Sequence, residues 1–439
     1  MADAPKPSVL IFGGLNTCSR ALAAFLVPLE GEHLVSYLRI VDKYSVLPPT
    51  TFVLSFSFPL LEFFFFNDEP SQTYYSYIGV EFPKVLEKPE VEYRQVNLTV
   101  PSNIPATFEP PAGHSKFDYV FDFTGEVRHD RTEMIQINTT FSVARLLGLE
   151  AAKRKVKAYV RIQHPFYETP SKGVYDEKED IKPSGTLGIW WHETLRTLAS
   201  IEELNLVILR IGFVYGPYTN FGNVASAITV ASVYGYVHKP MKYLWAPGKN
   251  ATNTVHVLDV AGAAWASAKW MASEGRKTAN QIAGQAIIFH NDKSKVKEVD
   301  GMLPPDAKPI APLFNLVDDS QSTLLSTGQI ISSYFGTTLE FFSLVETTMF
   351  KIMDDIEDIN EHHVGAWTEM LEKSNPPIHN TPLTAYMDKF TLEKHVVSLD
   401  NSKIKQITGY KLLKPELNHE NIKEVVDKWK EEAIWPNVD

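Results

Sequence analysis

Apolar positions along the chain fall into short unbroken runs separated by amphipathic stretches, and that alternation sets the expected elements. Val9 to Phe12 are continuously apolar, as a parallel strand covered on both faces must be, and Ala21 to Leu26 continue as helix. Leu34 to Val41, Glu90 to Leu98, Phe117 to Phe123, Val156 to Ile162 and Leu204 to Ile211 read as five further strands. Between them, a helix from Met134 to Lys153 places Val143, Leu146, Leu147 and the stretch Leu149 to Ala152 on one broad apolar face. Strands alternating with helices at this spacing require a doubly wound parallel sheet. The pattern predicts an α/β fold: a Rossmann-like sheet domain over 1–217, rejoined by 251–274, and a smaller, mostly helical C-terminal lobe from 218–250 and 275–439. In that lobe Gln321 to Phe335 and Asn421 to Glu432 have helical spacing, Asp354 to Glu361 reads as a solvated helix surface, and Lys293 to Pro312 as a surface loop.

One passage breaks the pattern. Residues 52–66 are almost wholly Phe, Leu and Ser, too short to span a membrane and interrupted by Pro59 and Glu62. Within a Phe-rich stretch over 52–73 they read either as an apolar insert packed on the domain or as the translation of a retained pyrimidine-rich intron.

Composition narrows the partners. The 439 residues are 44% hydrophobic and 22% charged, enough for a full core, and the net charge of −11 argues against nucleic acid or an anionic membrane. A lone cysteine, Cys18, precludes an internal disulfide and fits a reducing compartment; it reads as a small residue filling a turn. A strand expected near residue 8 leaves no room for a signal peptide ahead of it, so a cytoplasmic protein is expected.

Candidate chemistry begins at the first turn. A buried strand handing over to a helix at Gly13-Gly14 is where a dinucleotide pyrophosphate sits, on free N–H groups at the positive end of the helix dipole. In the spacing GxxGxxG the glycine positions are Gly13, Asn16 and Ser19, so only the first is kept. Asn16 puts a side chain where the pyrophosphate approaches, and Ser19 adds bulk where helix meets strand. Asp42, at the tip of the second strand, is placed to grip ribose hydroxyls and favours NAD over NADP, with Lys43 moderating that preference. The expected cofactor is NAD or NADP, held with an affinity that the altered turn weakens or abolishes.

The segment Arg210-Ile-Gly-Phe-Val-Tyr-Gly-Pro217 gives this pattern a relative. It resembles the Arg-Pro-x-x-Val-Tyr-Gly-Pro segment of the extended short-chain dehydrogenase/reductases, the NAD-dependent epimerase/dehydratase family. Asn97-Leu98 is similar to that family's Asp-Leu pair beside the adenine, Thr124-Gly125 to the small pair under the cofactor, and Asn138 to the Asn of the following helix. Thr254 to Ala261 and Ser398 to Tyr410 resemble its Val-His-Val-Asp-Asp-Val-Ala and closing Asp-x-Ser-Lys segments. The C-terminal half looks most like uncharacterised fungal members, which implies a fungal source.

The resemblance implies a Tyr and a Lys one helical turn apart, assisted by a Ser or Thr on the fifth strand. Residues four apart share a helix face, so the ammonium lowers the phenol's pKa while holding the nicotinamide ribose. Here the hydroxyl position is Gln163, the tyrosine position Leu187 and the lysine position Trp191. None of the three catalytic groups is kept: Leu187 handles no proton, and an indole offers only a neutral N–H. His164, Tyr167, Glu168 and Tyr175 lie nearby as replacements, but neighbouring strand side chains point to opposite faces, so His164 faces away unless the backbone kinks before Pro165. Adjacent histidines in Glu361-His-His363 diverge around a helix, and no metal-ligand spacing occurs, so no metal is expected.

Two functions follow. The first is a scaffold without the family's catalysis, acting in binding, sensing or assembly. The second is an active oxidoreductase, epimerase or dehydratase on a nucleotide sugar or related small molecule, using replacement residues. Trp190 and Trp191 are expected to pack, in the helix pair through which extended family members form homodimers.

Overall fold

The structure is a computed structural model that describes residues 5–46, 77–343, 345–348 and 356–438. The Phe-rich stretch over 52–73 lies outside the described residues.

Eight strands form one sheet. In chain order they are β1 (Ser8–Phe12), β2 (Tyr37–Asp42), β3 (Val91–Gln95), β4 (Tyr119–Asp122), β5 (Ala158–Gln163), β6 (Leu206–Ile211), β7 (Gly284–Ala286) and β8 (Ile310–Leu316). Their spatial order is β7-β8-β6-β5-β4-β1-β2-β3, parallel except for β7 against β8. The main helices are α1 (Thr17–Leu26), α2 (Val143–Lys153), α3 (Gly185–Ala199), α4 (Asn223–Tyr236), α5 (Val257–Ala283), α6 (Leu324–Tyr334), α7 (Ile356–Lys373) and α8 (His419–Glu431).

Alternation of side chains along each strand divides the sheet's packing between two faces. Val9 and Ile11 join the core formed with α1 and α5, while Leu10 and Phe12 join α2 and α3 on the other side. Every residue of β1 is buried, which is why its sequence is apolar from Val9 to Phe12. A third core, built on α4, α6, α7 and α8 around Trp367, Trp429 and Trp435, forms the C-terminal lobe.

The predicted doubly wound sheet is present, with differences at its far edge. β7 and β8 come from a stretch assigned by pattern to the C-terminal lobe, and β8 begins inside the expected surface loop. Pro309 and Pro312 bracket the start of β8 and mask an apolar run that is buried from Ala311 onward. The returning segment also extends further than 274, because α5 continues past a break at Gly275 (φ 69°) and packs on the sheet as far as Ala283. The helix expected over 134–153 is interrupted by a π-helical stretch, Ile137–Ser142, which no spacing rule anticipates.

Candidate functional site

β1 pairs with β2 on one side and β4 on the other, and the connections that follow β1 and β4, through α1 and α2, run to opposite faces of the sheet. A crevice opens at such a point in doubly wound folds. Here it is an open cleft of about 1200 Å³, lined by Gly13, Asn16, Asp42, Asn97, Leu98, Thr124 and Gly125 among others. Seven of the nine expected cofactor residues therefore meet around one space. The other two, Gly14 and Ser19, pack behind it: a Cβ on Gly14 would come 2.2 Å from Ile40 Cγ2, and Ser19 is fully buried. Gly13 makes the turn at φ +67°, where a Cβ would meet the Phe123 carbonyl at 2.8 Å.

Asn16 is turned inward. It is the N-cap of α1: its Oδ1 accepts from Ser19 N at 2.9 Å and its Nδ2 donates to Phe123 O at 3.3 Å. The capping side chain thus takes one of the four N–H groups that a helix start leaves unpaired. Further round the same turn, Thr17 Oγ1 and Arg20 Nε are buried without a hydrogen-bond partner, on two residues that line the cleft. Arg20, 2% exposed, is anchored by Nη2 donating to Tyr218 O at 2.8 Å. Sequence reasoning passed over both residues, although Arg20 stands one helical turn past Asn16, a spacing that puts the two on one face.

At the outer end, Asp42 is tied to backbone. Its carboxylate accepts from Leu15 N at 3.0 Å, Lys43 N at 2.6 Å and Tyr44 N at 3.4 Å, and burial raises its pKa above the ordinary carboxylate value. Asn97 is exposed, with Oδ1 accepting from both Thr99 N and Thr99 Oγ1.

The inner end is closed by packing. Trp191, 0% exposed, donates from Nε1 to Glu126 O at 2.8 Å, and a Cβ on Gly125 would lie 2.5 Å from its Cζ2. With Phe166 and Leu187 it forms an apolar cluster that also takes in Val127 and Phe390, and Phe390 in turn stacks on His129 at 3.7 Å between ring centres. Beneath lies a buried ion pair. Arg161 Nη1 is 2.9 Å from Asp122 Oδ2, which also accepts from Tyr159 OH at 2.7 Å, and the Arg161 guanidinium sits 4.5 Å over the Trp191 ring.

Gln163, Leu187 and Trp191 are each at most 4% exposed, and none lines the cleft. Gln163 Nε2 donates to His164 O at 3.1 Å and its Oε1 has no partner. His164 lies edge-on to Trp191 at 5.2 Å, its pKa driven by burial down to about 4. Tyr167 OH is spent on Ile211 O at 2.7 Å, and Tyr175 OH donates to Lys172 O. Asn138 is exposed and does not line the cleft, while Thr140 Oγ1, two residues on, accepts from Glu126 N at 2.9 Å. Cys18 is buried, and its thiol is pushed up to about 12, which leaves it unreactive.

The outer side of α3 is covered by the chain itself. Residues 288–307 place Phe289, Val296, Val299 and Met302 around Trp190, and Arg196 donates from Nη2 to the carbonyls of Pro304 and Ala307. Among the described residues no group of three or more His, Cys, Asp or Glu is placed to hold a metal, and no helix is long and apolar enough to cross a membrane.

No protein-family model matches the chain, and no curated protein sequence matches it. Solved structures do. A variant of the UDP-glucuronic acid 4-epimerase of Bacillus cereus, in complex with a fluorinated UDP-glucuronic acid and NAD, is similar over 96% of this chain and 99% of that one, with a TM-score of 0.57 and 11% identity. The Bordetella bronchiseptica enzyme WbmG, in complex with NAD and UDP, covers 98% and 96% (TM-score 0.56, 13% identity). The Thermotoga maritima UDP-glucose 4-epimerase with UDP-glucose covers 97% and 99% (TM-score 0.55, 14% identity). From end to end, this chain carries the fold of these nucleotide-sugar enzymes.

Proposed function

We propose that this protein is a nucleotide-binding member of the extended short-chain dehydrogenase/reductase group that has lost proton-transfer chemistry and serves in binding, sensing or assembly. One observation carries the reading: the three positions that the resemblance gives to Ser or Thr, Tyr and Lys hold Gln163, Leu187 and Trp191, all buried outside the cleft. General acid–base catalysis needs a titratable group within hydrogen-bond reach of the substrate. The phenols nearby are bonded to backbone carbonyls, and His164 is sealed against Trp191.

NAD is the cofactor found with two of the similar structures, and the fit to this cleft is uneven. Asp42, Asn97 and Leu98 offer a ribose and base end, and the α1 turn offers a phosphate end; beyond them the cleft is lined by Gly125, Glu126 and Val127, with Trp191 packed behind them. The reading therefore routes no hydride step through this site. The expected setting is the cytoplasm, in keeping with a single buried thiol. A homodimer through α2 and α3 is not part of it, since residues 288–307 already occupy the outer side of α3.

The UDP-sugars of the similar structures support a second reading, an enzyme acting on a nucleotide sugar with His164 as its acid or base. One experiment separates the two. Purified protein is incubated with NAD(H) and a panel of UDP-sugars while nicotinamide absorbance and sugar products are followed. No turnover is expected, and turnover with any of them overturns the first reading.

A further inference from the structure

Resting on the nucleotide-binding reading, we propose that the cleft selects a nucleoside mono- or diphosphate of the ADP type and rejects the second nucleoside of a dinucleotide. Three observations meet here. First, α1 is a ten-residue helix whose N-terminal turn faces the cleft, and a helix start presents unpaired N–H groups and a partial positive charge. Second, two side chains of that turn have polar atoms without a partner, Thr17 Oγ1 and Arg20 Nε, on residues 6% and 2% exposed. Leaving buried polar groups unpaired is costly, and a ligand phosphate would supply acceptors for both. Glu432, which accepts from Tyr77 OH, lies near enough to act on the Arg20 charge, and Tyr77 lines the cleft beside it. Third, behind the cleft-lining residues Gly125, Glu126 and Val127 the buried indole of Trp191 is pinned by its bond to Glu126 O and packed under Gly125.

A ligand running from Asp42 past α1 thus meets groups for a ribose, a base and phosphate, and then a wall. The wall has depth, since Trp191 is backed by Phe166, Leu187 and the Arg161 guanidinium, so a side-chain flip does not open it. For a dinucleotide, binding would require moving a packed aromatic cluster, a cost that ADP does not carry.

The test is a ladder of adenine compounds titrated calorimetrically into the full-length protein: adenosine, ADP, ADP-ribose and NAD. ADP is expected to bind at least about tenfold more tightly than adenosine, and NAD no more tightly than ADP. NAD binding about tenfold more tightly than ADP, with ADP-ribose between them, would show that the second nucleoside is seated and would overturn the proposal while leaving nucleotide binding intact. No binding by any member overturns both readings together. Arg20→Gln is expected to remove the preference for ADP over adenosine; that ratio is insensitive to a general loss of stability, and a ratio unchanged from the parent protein would exclude Arg20 as the phosphate partner. Trp191→Leu, checked for folding by circular dichroism, is expected to raise NAD affinity relative to ADP.

Discussion

The two ends of the cleft are built on opposite principles. Around α1 the chain leaves a volume open beside polar atoms without partners; around α3 atoms of Arg161, Gln163 and His164 also lack partners, but they are sealed among rings. Both ends rest on the same rigid sheet, so the difference lies in side chains. Orphan atoms beside open space can be met by a ligand, whereas those sealed in a core cannot, and the packing around them has to offset their cost.

The comparison breaks most sharply at the ion pair. Asp122→Ala leaves the Arg161 guanidinium buried and unpaired, and is expected to cost roughly 3–5 kcal/mol in urea unfolding. A loss below about 1 kcal/mol would mean that the closed end is not holding the fold. Trp191→Ala removes the wall itself and is expected to cost about 3–5 kcal/mol by the same measurement.

Acid offers a gentler probe. Burial depresses His164 and His192 to about 4, below the ordinary 6.5 of the unfolded chain. Between those values the unfolded state binds more protons, so their contribution to stability is intact above pH 6.5 and is lost as pH falls toward 4. Urea midpoints measured across that range should fall for the parent protein and fall less for His164→Gln; parallel curves would show that His164 is not buried neutral. At the open end, Asn16→Ala should cost only about 1 kcal/mol, the value of an N-cap, while freeing the Ser19 N–H for a ligand. Tighter ADP binding by this variant would sharpen the contrast between the ends.

Sequence made the open end readable and the closed end only half so. β1, the turn at Gly13, Asp42, Thr124 and Gly125 lie within local patterns whose spacing reports their geometry. That Leu187 and Trp191 stand at the positions the resemblance gives to Tyr and Lys was an expectation readable from sequence alone. Their surroundings were not, because Phe390 reaches Phe166 and Trp191 from more than 180 residues away, and no periodicity records such a contact. The role of Asn16 was only partly readable: its position put a side chain beside the phosphate end, where it lines the cleft, but did not reveal that its amide caps the helix and holds Phe123. His164 was expected to point away from the site unless the strand bent before Pro165, and its ring rests against Trp191. Thr17 and Arg20 went unnoticed because a buried atom without a partner can be recognised only once its surroundings are known.

The strip of chain lying over α3 has a consequence for assembly. Trp190 is kept dry by its own chain, a covering that does not depend on concentration because both sides of it belong to one molecule.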